Sequence, residues 1–182
     1  MKRILMILGV MAVCTSAFAQ APTDPVQRAT LAAPAQLRDG ATVIKWKPDF
    51  TYDVLRKGTN KLVCYDASGF PEQPAFFIEC TSTADNLPRV AQNLKLQALG
   101  DKAKTQAALD AAEKDGSRVK PVYGSVWYHA MGADDQHIRM HMTIAIPNAT
   151  TASTGIPDNA TAGGIWIMNA GTTTAHIMTP GE

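Results

Sequence analysis

The chain has 182 residues, 46% of them hydrophobic, and its 17 Lys and Arg stand against 16 Asp and Glu for a formal net charge of +1. So even a balance gives no electrostatic grip on nucleic acid or on an anionic membrane surface, and it excludes both as partners chosen by charge. The length suits one domain with a core of its own.

Residues 1–19 have the three parts of a cleavable secretory signal: positive Lys2 and Arg3, an apolar run over 4–13, and Ala17 and Ala19 in A-x-A spacing. The run is too short to span a bilayer. Cys14 raises the alternative of a lipoprotein signal, but Val13 stands where such signals place a small residue. Cleavage after Ala19 leaves 163 residues, with 15 basic against 16 acidic and a net charge of −1. No later stretch approaches the ~18 apolar residues of a membrane helix, so the mature chain is expected to be soluble, periplasmic or secreted, and without a membrane span.

Residues 20–37 are rich in Ala, Pro, Gln and Thr without an apolar period and read as a flexible leader; a single domain is expected over 38–182. Runs of β-branched and aromatic residues at 42–47, 51–57 and 61–65, the last after the turn signal Gly58-Thr59-Asn60, predict three strands in a meander. A fourth is predicted at 76–81.

The period then changes. Residues 85–114 are rich in Ala, Leu, Lys and Gln, with Pro88 placed as a first-turn proline and Gly116 as a stop, which predicts helix. Gly100-Asp101 divides it, with Asp101 capping the second helix. Leu87, Val90, Leu94 and Ala98 form the apolar stripe of the first, while the alanine faces of the second suit a helix lying on a sheet surface.

Beyond Pro121 alternation returns, predicting strands at 122–131, 137–146, 165–169 and 174–178. The Thr-, Pro- and Gly-rich loop 147–164 is long enough to suggest function or disorder. The expected fold class is therefore α+β: a single domain, mainly antiparallel β-sheet, with a helical insertion between two groups of strands. Cys64 and Cys80, the two cysteines left after cleavage, are expected to form a structural disulfide in an oxidising compartment; they lack the C-x-x-C spacing of a redox or metal pair.

All four histidines, His129, His137, His141 and His176, lie in the last third with all five methionines of the mature chain. These are the ligands of exported copper proteins. A symmetric hairpin across a five-residue loop pairs Met131 with His137, His129 with Arg139 and Trp127 with His141. Alternation then gives one face Val122, Val126, Tyr128, Ile138, Met140, Met142, Ile144 and Ile146, a core face on which Met140 and Met142 pack. The other carries Trp127, His129, Met131, His137, Arg139 and His141. A site of two of these histidines plus Met131 is geometrically possible on that face, which gives a copper site of His129, Met131 and His137, joined by His176 if it converges there, whereas a three-histidine zinc site on a flat strand pair is not possible.

Signals of catalysis are weaker. Ser125 lies diagonal to His141 without a G-x-S-x-G elbow, and Ser68 sits in a turn without a positioned base. Asp134 and Asp135 read as a solvated turn.

Two stretches, Ala41-Thr42-Val43 through Trp46 continuing to Leu55-Arg56-Lys57-Gly58-Thr59-Asn60 and Cys64, and Trp166-Ile167-Met168-Asn169-Ala170-Gly171-Thr172 with Ala175-His176-Ile177-Met178, resemble a family of exported bacterial proteins with no assigned function. The resemblance implies export and carries no activity or cofactor; it draws attention to His176, beside the tight turn 169–172. The expected function is an exported, non-catalytic binding or structural domain. A periplasmic copper-binding protein and an exported hydrolase are the alternatives.

Overall fold

The computed structural model describes residues 22–179, so the secretory signal expected over 1–19 lies outside the described residues. Eight strands form one sheet: β1 (Thr42–Trp46), β2 (Tyr52–Arg56), β3 (Val63–Asp66), β4 (Phe76–Thr81), β5 (Val126–Gly132), β6 (Ile138–Ala145), β7 (Trp166–Met168) and β8 (His176–Met178). Their spatial order is β2-β1-β3-β4-β5-β6-β8-β7. The helices are α1 (Pro25–Ala29), α2 (Leu87–Gln97), α3 (Lys102–Asp115) and the single turn α4 (Thr151–Thr154). This is the expected α+β domain, with α2 and α3 inserted between two groups of strands. No described helix is long and apolar enough to cross a membrane.

The first three strands do not form a meander. β1 pairs antiparallel with β2 but parallel with β3, because the connection over 57–62 crosses the start of β1 and delivers the chain to its other edge. The crossing is tight: the amides of Thr59 and Asn60 donate to the Gly40 carbonyl at 2.8 and 2.9 Å, and Thr42 N donates to Leu62 O at 2.8 Å. A Cβ on Gly58 would stand 2.3 Å from Gly40 O, so only glycine fits there. All other strand neighbours are antiparallel.

Both faces of the central strands are covered, which period two cannot show by itself. On one face α2 lays Leu87, Val90 and Leu94 against Trp46, Tyr65, Phe77 and Trp127. Asp101 caps α3 by accepting from Ala103 N and Lys104 N at 2.9 and 3.1 Å, and Gly116 ends it at φ 78°. α3 packs on α2 and, through Glu113, bonds the β7–β8 connection at Thr173.

The opposite face is covered by the stretch expected to be a flexible leader. Residues 22–37 are folded: Asp24 caps α1, and Ala32 and Ala33 pack over Cys64, Phe76, Ile78 and Cys80. Alanines, which read as featureless in sequence, are what let this segment approach the sheet closely; Ala33 is 1% exposed. Arg28 ties it down, with Nε 2.6 Å from Asp66 Oδ2 and its guanidinium 4.5 Å above the Phe76 ring. On this face the disulfide joins Cys64 to Cys80, direct cross-strand partners on β3 and β4. The loop 147–164 is likewise structured: α4 carries a capping box, and Ile156 packs on Ile146, Ala149, Ile167 and Ala175.

Candidate functional site

Strand β4 reads Phe-Phe-Ile-Glu-Cys-Thr, and alternation sends Phe77, Glu79 and Thr81 to the helix-covered face. A single carboxylate is thereby placed among apolar neighbours. Across the strands Glu79 is opposite Tyr65 on β3 and His129 on β5, and His129 is opposite His141 on β6. One row of four polar side chains thus crosses four strands.

The hairpin register differs from the symmetric one by two residues: Met131 is opposite Arg139 and His129 opposite His141. The turn sets this. Asp134 Oδ1 accepts from the backbone N–H of Gln136 and His137 at 2.9 and 3.0 Å and pairs with His137 Nδ1 at 2.8 Å, so His137 is spent in the turn and pairing begins at Ile138. A slip of two preserves the faces, which is why the partition of side chains survives while the partners change. Met140 does not pack as expected; it is 41% exposed.

The row ends in a cleft of about 290 Å³ where α2 meets β5, β6 and β8. His129, His141 and His176 line it, with Met131, Met168 and Met178 and, from α2, Arg89 and Asn93. His137 does not. Its side chain is 76% exposed in the hairpin turn, bordering a separate depression with Pro74 and Arg139. Of the four residues expected to bind copper, the structure brings together His129, Met131 and His176 in one cleft, puts His137 elsewhere, and adds His141.

Burial pushes the Glu79 carboxyl up to about 7, against the lowering effects of the Tyr65 hydrogen bond and the Arg89 charge. Glu79 Oε2 accepts from the Tyr65 hydroxyl at 2.8 Å. Burial also drives His129 down to about 3, with the His141 and His176 charges adding to the effect, so its ring is neutral at physiological pH. His129 Nδ1 lies 3.6 Å from Glu79 Oε1, too far for a hydrogen bond, and has no hydrogen-bond partner. Its ring stacks on Phe77 at 5.9 Å and sits 5.5 Å from the His141 ring.

His141 and His176 are shifted down as well, by burial first. His176 Nδ1 is 2.8 Å from the Thr174 carbonyl. A carbonyl only accepts, so Nδ1 carries the proton and Nε2 keeps its lone pair. Arg89 is charged but largely desolvated, which brings it down to about 10.

Among the described residues no three His, Cys, Asp or Glu side chains are placed to hold one metal ion, so an ion in this cleft would need thioether ligands as well. Neither serine hydroxyl donates to a side-chain base. Ser125 Oγ has no hydrogen-bond partner, and Ser68 Oγ accepts from Phe77 N at 2.9 Å and Arg28 Nη2 at 3.4 Å.

Sequence reasoning missed Glu79, Tyr65, Arg89 and the inclusion of His141. The signal for Glu79 was present: a lone carboxylate in a strand otherwise apolar or small has to find a buried partner. Compared with known proteins, the chain matches no family model, no curated protein and no solved structure.

Proposed function

We propose that the chain is an exported binding domain, periplasmic or secreted, whose binding site is the cleft between α2 and the β5–β6–β8 face. The observation that carries this reading is polar capacity left without protein partners on the wall of a cleft rich in methionine: among the described residues the Arg89 guanidinium, which lines it, donates to a single protein acceptor. Buried polar groups are ordinarily satisfied, and those that are not point to a ligand or to water. Export is supported by the signal-like residues 1–19 and by the Cys64–Cys80 bond, which suits an oxidising compartment. A binding role is favoured over hydrolysis because neither the Ser125 nor the Ser68 hydroxyl donates to a side-chain base, as an activated nucleophile does.

The four histidines supply the test, since three border the cleft and one does not. Small-molecule fragments that bind should shift the imidazole proton and nitrogen resonances of His129, His141 and His176 and leave those of His137 in place. Binders that shift only His137, or a diverse fragment collection that shifts none, would overturn the assignment.

A second reading, a copper(I) site, is favoured by one specific observation: three imidazoles and the three thioethers of Met131, Met168 and Met178 border the same cleft. Soft thioethers and neutral imidazoles suit Cu(I). Stoichiometric Cu(I) uptake by the purified mature protein against a competing chelator is the expected result, and no uptake ends this reading.

A further inference from the structure

We propose that the cleft takes a small organic acid whose carboxylate is held by Arg89 and whose apolar body lies against Met131, Met168 and Met178. This rests on the reading of the cleft as a binding site.

A guanidinium carries five N–H donors and a permanent charge. Among the described residues the only acceptor Arg89 bonds is the Val119 carbonyl, 2.8 Å from Nη1. Among the described residues no carboxylate lies within 4 Å of Arg89. The two carboxylates whose charges act on Arg89, Glu113 and Glu79, stop short of contact with it, and their hydrogen bonds go to other groups, so its spare N–H donors face the cleft without an acceptor. Glu113 is bonded by the amide and hydroxyl of Thr173, at 2.6 and 2.5 Å, and Glu79 by the Tyr65 hydroxyl.

The second guanidinium of this region is likewise bonded to no carboxylate among the described residues. Arg118, 6% exposed, is satisfied by neutral amides, Gln92 Oε1 and Asn93 Oδ1, both at 2.6 Å. Two cations therefore share the foot of α2 without a carboxylate in contact. With its Oδ1 accepting from Arg118, Asn93 keeps its amide hydrogens for an acceptor in the cleft it lines. A carboxylate matches the fork of Arg89 through two parallel N–H···O bonds. The methionine wall favours an acid with an apolar body over a bare inorganic anion. At about 290 Å³ the cleft is at the small end of ligand sites, which limits the acid to a compact one.

The probes are benzoate, phenylacetate and hexanoate, each beside its amide, together with inorganic phosphate, titrated into the full mature protein by calorimetry and by histidine-detected NMR. At least one acid is expected to bind at least about tenfold more tightly than its amide, with phosphate weaker than the acid. Arg89→Met should abolish this acid preference with little change in melting temperature, and Arg89→Lys, which keeps the charge without the fork, should retain a reduced preference. Should Arg89→Met fail to fold, Arg89→Lys and the acid-to-amide comparison on the unmutated protein decide alone. Amides that bind as well as their acids, or phosphate that binds as well as any acid, would overturn the proposal and leave the cleft a binding site. Failure of every probe up to about 50 mM would overturn both, since that limit is far weaker than specific small-ligand binding.

Discussion

His129 stands directly opposite Glu79 across β4 and β5, its Nδ1 3.6 Å from Glu79 Oε1, and burial favours the neutral form of both, raising the carboxyl to about 7 and lowering the imidazole to about 3. Two groups that form an ion pair on a surface are here driven toward neutrality by burial. The contact is better described as a carboxyl beside an imidazole than as a salt bridge.

This pair makes stability depend on pH in two opposing ways. Glu79 is raised from its ordinary 4.5 to about 7, so its contribution is fully present below pH 4.5 and is lost as pH rises through 7. His129 is lowered from 6.5 to about 3, so its contribution is present above pH 6.5 and is lost as pH falls toward 3. His141 and His176 act in the same sense as His129. Between the two ordinary values, 4.5 and 6.5, the Glu79 slope opposes those of the three histidines, so the melting temperature should change less with pH than the histidines alone would make it. Glu79→Gln leaves the Tyr65 hydroxyl an acceptor and removes one slope. Its melting temperature should fall steadily on acidification through this window and exceed that of the unmutated protein at about pH 8, by the equivalent of about 1–3 kcal/mol. Parallel pH profiles for the two proteins would refute the assignment.

Segment 22–37 is an integral layer of the domain, and two substitutions separate this from a loose leader. Ala33→Leu should cost about 1–3 kcal/mol by overpacking against the disulfide-bearing face. Arg28→Ala, which removes both the Asp66 contact and the stacking on Phe76, should cost about 1 kcal/mol because the pair is part-exposed. Urea unfolding midpoints check both; midpoints unchanged in the two variants would show that the segment carries no stability.

The parallel entry of β3 depends on the close crossing at Gly58. In Gly58→Ala the new methyl meets backbone, Gly40 O at 2.3 Å and Thr42 N at 2.4 Å, and backbone cannot rotate aside as a side chain would. A loss of about 2–3 kcal/mol is expected by thermal or urea unfolding, far above the few tenths of an ordinary loop substitution.

How much of this was legible in the sequence follows from the range of the interactions concerned. The strand and helix positions, the Asp101 cap and the Gly116 stop are set by neighbours a few residues apart, and alternation sorted the hairpin faces correctly even though the turn at Asp134 shifted the partners by two. The site was only half visible. His129, Met131 and His176 line one cleft, but Glu79 and Arg89 reach it through pairings of β4 with β5 and of α2 with the sheet that no local pattern encodes. Small residues misled for a related reason: Ala32 and Ala33 carry no periodic apolar signal, yet smallness is what close packing on the sheet requires.

The position of His137 gives the sharpest test of the copper reading. It is exposed, hydrogen-bonded to Asp134 within the turn, and absent from the cleft that holds the other three imidazoles. If the cleft binds Cu(I), His137→Ala should leave uptake unchanged and cost no more than about 0.5 kcal/mol, as exposed sites do. At least one of His129→Ala, His141→Ala and His176→Ala, but not all three, should weaken uptake by at least about tenfold: each ligand is a large share of a low-coordinate soft ion's binding, and no three of these side chains are placed to hold one ion. A chelator competition assay on the four variants, with the melting temperature of each as a folding control, reads all of these at once. Loss of uptake in His137→Ala alone would move the ion to the hairpin turn, and equal uptake by all four would remove imidazole from the site.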